Sequence, residues 1–191
     1  MTKFLRKIFK NLLDAIAGKL ILLGIKPNMI TLFGLVGVFI ASLLIAKGKL
    51  LSGGLLILFM ASMDALDGAV ARLSGDVSDF GAFLDSVSDR YAEFAIFFGM
   101  LVYALNKQEH LTIILAFLAA TGSVLVSYTR ARAEALGVDV KLGMLTRVER
   151  FLVIIPSLIF NQVVIGLLLI SILGHVTAVQ RIIYTRKILE T

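Results

Sequence analysis

The sequence predicts an all-α integral membrane protein: six transmembrane helices preceded by an amphipathic helix at the membrane interface. Three observations carry that expectation. First, 59% of the 191 residues are hydrophobic and 17% are charged, where ordinary globular domains hold about 45–50% and about 25%. The mean hydropathy of +0.96 excludes a disordered chain and a soluble domain of ordinary build. Second, apolar stretches near the roughly 20 residues that a span requires recur along the whole chain. Third, lysine and arginine gather in alternate connections, as membrane topology demands. The length leaves room for about six or seven crossings with short loops, so residues 1–191 read as a single membrane domain. The chain has no cysteine, which excludes disulfides, thiol catalysis and cysteine-ligated zinc or iron–sulfur sites. Its net charge of +6 reads as loop charge that sets topology, not as a nucleic-acid footprint.

From Met1 to about Leu23, Phe4, Leu5, Ile8, Phe9, Leu12, Leu13 and Ile16 recur at helical spacing. Lys3, Arg6, Lys7, Lys10 and Asp14 fall between them, the pattern of a helix lying in the headgroup layer of an anionic leaflet. Ala15-Ile16-Ala17 imitates a signal-peptide cleavage site, but Asn11 and Asp14 interrupt the apolar run such a peptide needs. Gly24 and Pro27 end the helix. Six apolar stretches follow: 28–46, 50–73, 79–105, 111–133, 146–160 and 163–184, the last two separated by the tight Asn161-Gln162 turn. With both termini on the cytoplasmic side, fifteen of the 19 lysines and arginines lie inside and only Lys47, Lys49 and Lys107 outside, with Arg90 within a span. That asymmetry orients the bundle in the cytoplasmic membrane.

Acidic residues number thirteen, yet seven fall between Asp64 and Glu93. Asp64 and Asp67 are three apart near the cytoplasmic end of the second span, and Asp85 and Asp89 are four apart near that of the third. Each pair therefore shares one helix face, and the short connection from Arg72 to Ser78 makes the two helices antiparallel neighbours. Four carboxylates meeting below the surface need compensation, since each costs several kcal/mol in a span. Two nearby arginines, Arg72 and Arg90, are too few for ion pairing alone. Hard oxygen ligands select Mg²⁺ or Mn²⁺, with Ca²⁺ the third such ion, and four carboxylates suit two divalent cations about 3.5–4 Å apart, an arrangement that serves phosphoryl chemistry. Gly68, Ala71 and Gly81 leave space beside the aspartates for a phosphate or nucleotide. Close helix packing is the other use of small residues in a membrane.

The string from Asp64 to Asp89, DALDGAVARLSGDVSDFGAFLDSVSD, resembles the signature of the CDP-alcohol phosphotransferase family, D-x2-D-G-x2-A-R-x8-G-x3-D-x3-D. Asp64, Asp67, Gly68, Ala71, Arg72, Gly81, Asp85 and Asp89 meet every fixed position. The six-span layout with an interfacial helix is similar to that family as well. The resemblance implies transfer of a phosphatidyl-type group from a CDP-linked lipid to an alcohol, with release of CMP. It implies that Asp64, Asp67, Asp85 and Asp89 hold two metals and that Asp89 also serves as general base. It places Gly68, Ala71, Arg72 and Gly81 around the cytidine diphosphate. Asn28 and Thr31, in PNMITLFG, resemble the family's cytidine-side segment. A homodimer is implied by resemblance alone.

The acceptor is read from a second cluster. Arg130 and Arg132 close the fourth span, Arg147 and Arg150 open the fifth, and Arg181 and Arg186 lie near the end of the sixth. As the spans are assigned, all reach the face that carries the aspartates. Arginine forks suit phosphate, which points to a phosphorylated acceptor: inositol phosphate or glycerol 3-phosphate, not free serine or choline. SYTRARAEALG resembles the corresponding segment of the phosphatidylinositol phosphate and archaetidylinositol phosphate synthases. In that branch a basic residue two before the arginine of ARAE helps hold the phosphate, and here Arg130 and Arg132 occupy those places. Arg150 and Arg181 are further candidates. A cation transporter is the rival class, but spans one, four, five and six carry no acid at mid-depth to mark a path. His110 and His175 stand apart from the acids and take no role, and Asp76 and Asp79 read as capping or solvating the loop and the start of the third span.

Overall fold

The computed structural model describes residues 3–140 and 142–190, with side chains from Asn11 onward. Met1 and Thr2 of the expected interfacial helix lie outside the described residues, as do the side chains of its pattern up to Lys10 and loop residue Lys141. All regular structure among the described residues is helical: α1 Lys3–Leu22, α2 Pro27–Ala46, α3 Leu50–Ala61, α4 Met63–Ser74, α5 Asp79–Lys107, α6 His110–Glu134, α7 Arg147–Ile159 and α8 Val163–Leu189.

Local chemistry sets the boundaries. After α1, Gly24 takes φ +72°, and the Gly24 and Ile25 N–H groups donate back to the Ile21 and Leu20 carbonyls, closing the helix as glycine at this place usually does. Pro27 then starts α2, where its missing N–H costs nothing. The stretch 50–73 expected as one helix is interrupted at Ser62, whose Oγ donates to the Phe59 carbonyl at 2.6 Å. A serine hydroxyl bonded back to a carbonyl of the preceding turn competes with the helix's own hydrogen-bond ladder, and here the break comes two residues before Asp64. At the start of α5 the cap is Ser78, which accepts the Gly81 N–H at 3.1 Å. Asp79 sits in the first turn beside it, so neither Asp76 nor Asp79 is the capping residue. Thr146 and Glu149 form a reciprocal capping box at α7.

The chain forms two compact units, residues 1–40 with 56–92 and residues 41–55 with 93–191. In the first, α1 packs along α4, and Ala17, Ile30, Leu66, Ala69 and Val70 form the core. The amphipathic helix therefore buttresses the helix that carries Asp64 and Asp67. In the second, α6 and α8 lie side by side. Ser171 Oγ donates to the Leu115 carbonyl, Gly174 meets Gly122, and Arg181 Nη1 donates to the Val126 carbonyl. Residue numbers rise together along this seam, so the two helices are parallel. A Cβ at Gly174 would stand 3.3 Å from the Gly122 backbone, and this absence of side chains lets the backbones approach. α7 returns against α8 as a hairpin, through a turn in which Asn161 has φ +55°.

Among the described residues, four helical stretches are long and apolar enough to cross a membrane: Pro27–Ala46, Leu50–Ser74, His110–Glu134 and Val163–Leu189. α5 carries Asp79, Asp85, Asp89 and Glu93, and α7 has 13 residues, so length and composition alone give an integral membrane protein but not the count of six.

Candidate active site

In the first unit, Asp64 on α4 and Asp85 and Asp89 on α5 each offer a carboxylate oxygen, and these oxygens all lie within 4.8 Å of one another. The i, i+4 spacing on α5 aims its pair at one point, and the turn through Gly75, at φ +77°, brings the chain from α4 into α5. Asp67 completes the group. It interacts electrostatically with Asp85 and Asp64, and its Oδ2 accepts a 2.7 Å hydrogen bond from Thr31 Oγ1 on α2. Asp67 and Asp89 are the buried members, 7% and 8% exposed. Arg90 Nη1 lies 3.5 Å from Asp89 Oδ2 and donates to the Ser86 carbonyl at 2.6 Å. Carboxylate oxygens of three aspartates this close together, with a fourth beside them, form a set of hard oxygen donors that fits divalent cations.

The expected nucleotide-side residues flank this group. Gly68 lies under the Arg72 guanidinium: a Cβ there would stand 3.2 Å from Nη1. Ala71 precedes Arg72 on α4. Gly81 on α5 faces Asn28 on α2, and a Cβ at Gly81 would stand 3.4 Å from Asn28 Oδ1 and 3.1 Å from Ser78 Oγ. Thr31 spends its hydroxyl on Asp67, one of the expected metal ligands, a contact that no local sequence pattern signals.

The arginines belong to the second unit. Arg130 and Arg150 both act electrostatically on Arg181, so three of the four expected acceptor residues lie close together. Their settings differ. Arg130 and Arg132 are exposed, and Arg130 Nε pairs with Glu134 at 2.8 Å. Arg150 is 1% exposed and paired with Glu93, Nη2 to Oε1 at 2.6 Å. Removing one partner of such a buried pair typically costs about 3–5 kcal/mol. Arg181 is buried, with its two hydrogen bonds going to the Leu142 and Val126 carbonyls. Among the described residues it forms no ion pair. From its place one turn beyond Asp89, Glu93 reads in the sequence as a group that orients Arg90 or a metal-bound water; the structure commits it instead to Arg150, 57 residues away.

Comparison with known proteins decides the family. The model of the CDP-alcohol phosphatidyltransferase family matches residues 25–183. The chain belongs to that family. The archaetidylinositol phosphate synthase of Pyrococcus horikoshii is 37% identical over 191 residues, covering 100% of this chain and 99% of the relative. The phosphatidylinositol phosphate synthase of Mycobacteroides abscessus is 34% identical over 158 residues, covering 82% and 72%. Among solved structures, the phosphatidylinositol phosphate synthase of Mycobacterium tuberculosis with CDP-DAG bound superposes with a TM-score of 0.88 at 29% identity, over 92% of this chain and 94% of that one. The same enzyme in complex with manganese and citrate gives 0.83 at 29% identity, over 91% and 88%. As a CDP-alcohol phosphatidyltransferase the chain is a membrane enzyme of phospholipid biosynthesis, a transferase of phosphate-containing groups that works with divalent cations. The cation-transporter reading falls with that membership.

Proposed function

We propose that the chain transfers a phosphatidyl-type group from a CDP-linked lipid, CDP-diacylglycerol or CDP-archaeol, to a phosphorylated polyol, inositol phosphate, and releases CMP. The convergence of Asp64, Asp85 and Asp89, with Asp67 beside them, carries this reading. These four side chains would hold two divalent cations, Mg²⁺ or Mn²⁺, which would supply charge neutralisation for the diphosphate. Asp89 takes the proton of the acceptor hydroxyl. The hydroxyl oxygen attacks the lipid-side phosphorus, and the bond from that phosphorus to the CMP oxygen breaks. Gly68, Ala71, Arg72, Gly81 and Asn28 take the cytidine diphosphate, and Thr31 fixes Asp67 through its hydroxyl.

Arg130, Arg132, Arg150 and Arg181 receive the acceptor phosphate. Support comes from Arg181: a buried cation with no ion pair among the described residues, which feels Arg130 and Arg150 more strongly than Glu134, is costly, and a phosphate supplies compensating charge. The relatives' names favour inositol phosphate over glycerol 3-phosphate. The parallel run of α6 and α8 supports α7 as a crossing, because a chain returns through the membrane before running the same way again. With α5 counted, this makes six spans in one functional domain. We place both termini and the active site on the cytoplasmic side by the lysine and arginine asymmetry, and expect a homodimer.

Purified protein with CDP-diacylglycerol and Mg²⁺ is expected to release CMP with inositol phosphate and not with free inositol. Faster release with glycerol 3-phosphate would overturn the acceptor assignment. Mn²⁺ at a hundred times its Kd is expected to add about 2.7 kcal/mol of stability, read as a rise in Tm. Asp64→Asn is expected to shrink that rise, and an undiminished rise removes Asp64 from the metal site.

A further inference from the structure

Three acidic side chains are buried among the described residues: Asp67, Asp89 and Glu93. The first two belong to the carboxylate group of the first unit; Glu93 lies in the second unit and is committed to Arg150. Glu93 Oε1 accepts from Arg150 Nε at 3.0 Å and from Nη2 at 2.6 Å, and Arg150 Nη1 donates to the Leu145 carbonyl at 3.1 Å. A guanidinium has five N–H groups in one rigid plane. Three anchored here fix that plane and leave one N–H on Nη1 and one on Nη2. The neighbouring arginines are held differently. Arg181 is anchored by main-chain carbonyls, while Arg130 pairs with Glu134 at an exposed i, i+4 site, where the hold is weak. A carboxylate against an arginine that must bind an anion lowers its net attraction, so its value there lies in orientation.

We infer that Glu93 is a positioning residue for the acceptor: it locks the Arg150 guanidinium so that the remaining Nη1 and Nη2 N–H groups form a preset fork for the acceptor phosphate. This rests on the reading of Arg150 as a phosphate ligand. Glu93 touches no substrate; it acts through Arg150.

Steady-state kinetics with CDP-diacylglycerol and inositol phosphate, together with Tm, test it. Glu93→Ala is expected to raise the acceptor KM about tenfold or more, as loss of positioning does, with the CDP-diacylglycerol KM unchanged. Glu93→Gln keeps an oxygen for the same donors and is expected to recover most of that loss; if Glu93→Ala does not fold, a rise of about threefold in Glu93→Gln carries the test. Arg150→Lys keeps the charge and removes the fork, and its acceptor KM is expected to rise. An unchanged acceptor KM in Arg150→Lys overturns the reading of Arg150. A raised KM there, with an unchanged acceptor KM and a lowered Tm in the Glu93 variants, overturns the positioning role alone and leaves Glu93 structural.

Discussion

Asp89→Asn is expected to abolish CMP release while the protein stays folded. The substitution keeps the shape of a side chain that is 8% exposed and removes two things at once. Asparagine cannot take the acceptor proton, a contribution worth about 10²–10⁴-fold, and it withdraws one negative charge from the carboxylates within 4.8 Å of one another. Together these put the loss in kcat at about 10³-fold or more. Stability moves the other way. Without metal, removing one of several crowded like charges relieves repulsion, so the Tm of the metal-free variant is expected to equal or exceed that of the parent. Its rise with Mn²⁺ is expected to be smaller. CMP release and Tm with and without Mn²⁺ check both signs, and turnover near the parent's would remove Asp89 as the base.

The convergence of Asp64, Asp85 and Asp89 was legible in the sequence because it is built from local periodicity. Spacings of three and four on two helices, joined by a turn too short to separate them, leave little freedom in where the carboxylates go. The same holds for α2, α6 and α8, whose apolar lengths report directly on crossing. The contacts that were not legible join distant residues through single atoms. Thr31 reaches Asp67 across 36 positions with one hydroxyl, and Glu93 reaches Arg150 across 57. No periodicity announces either. The break at Ser62 was hidden because an apolar run leads up to it and neither glycine nor proline marks the position. α7 is hard to read for the opposite reason. Its 13 residues are too few for a hydropathy signal, and its direction follows from the parallel α6–α8 seam, which glycines 52 residues apart create at Gly122 and Gly174.

The Arg181 environment leads to the second large effect. Arg181→Met is expected to leave the fold intact and the CDP-diacylglycerol KM unchanged, while the acceptor KM rises about 100-fold. The side chain is 3% exposed and donates to the Leu142 and Val126 carbonyls, so its removal costs these acceptors a donor, at most about 1–3 kcal/mol each, although Leu142 is open to water and the Val126 carbonyl keeps the Thr129 hydroxyl. Against that stands the desolvation of a cation with no ion pair among the described residues, a penalty of several kcal/mol that methionine, of similar length and apolar, does not incur. The two effects are of the same size, and Tm is expected to move by only a few degrees. Binding has no such offset. A charge-assisted hydrogen bond to phosphate contributes about 1.5–3 kcal/mol, and near the upper end that is about 100-fold in affinity. A residue kept for stability would show the reverse, a falling Tm with the acceptor KM unmoved. That pattern would take Arg181 out of the phosphate site and leave it as a strut between α8 and the 142–143 loop.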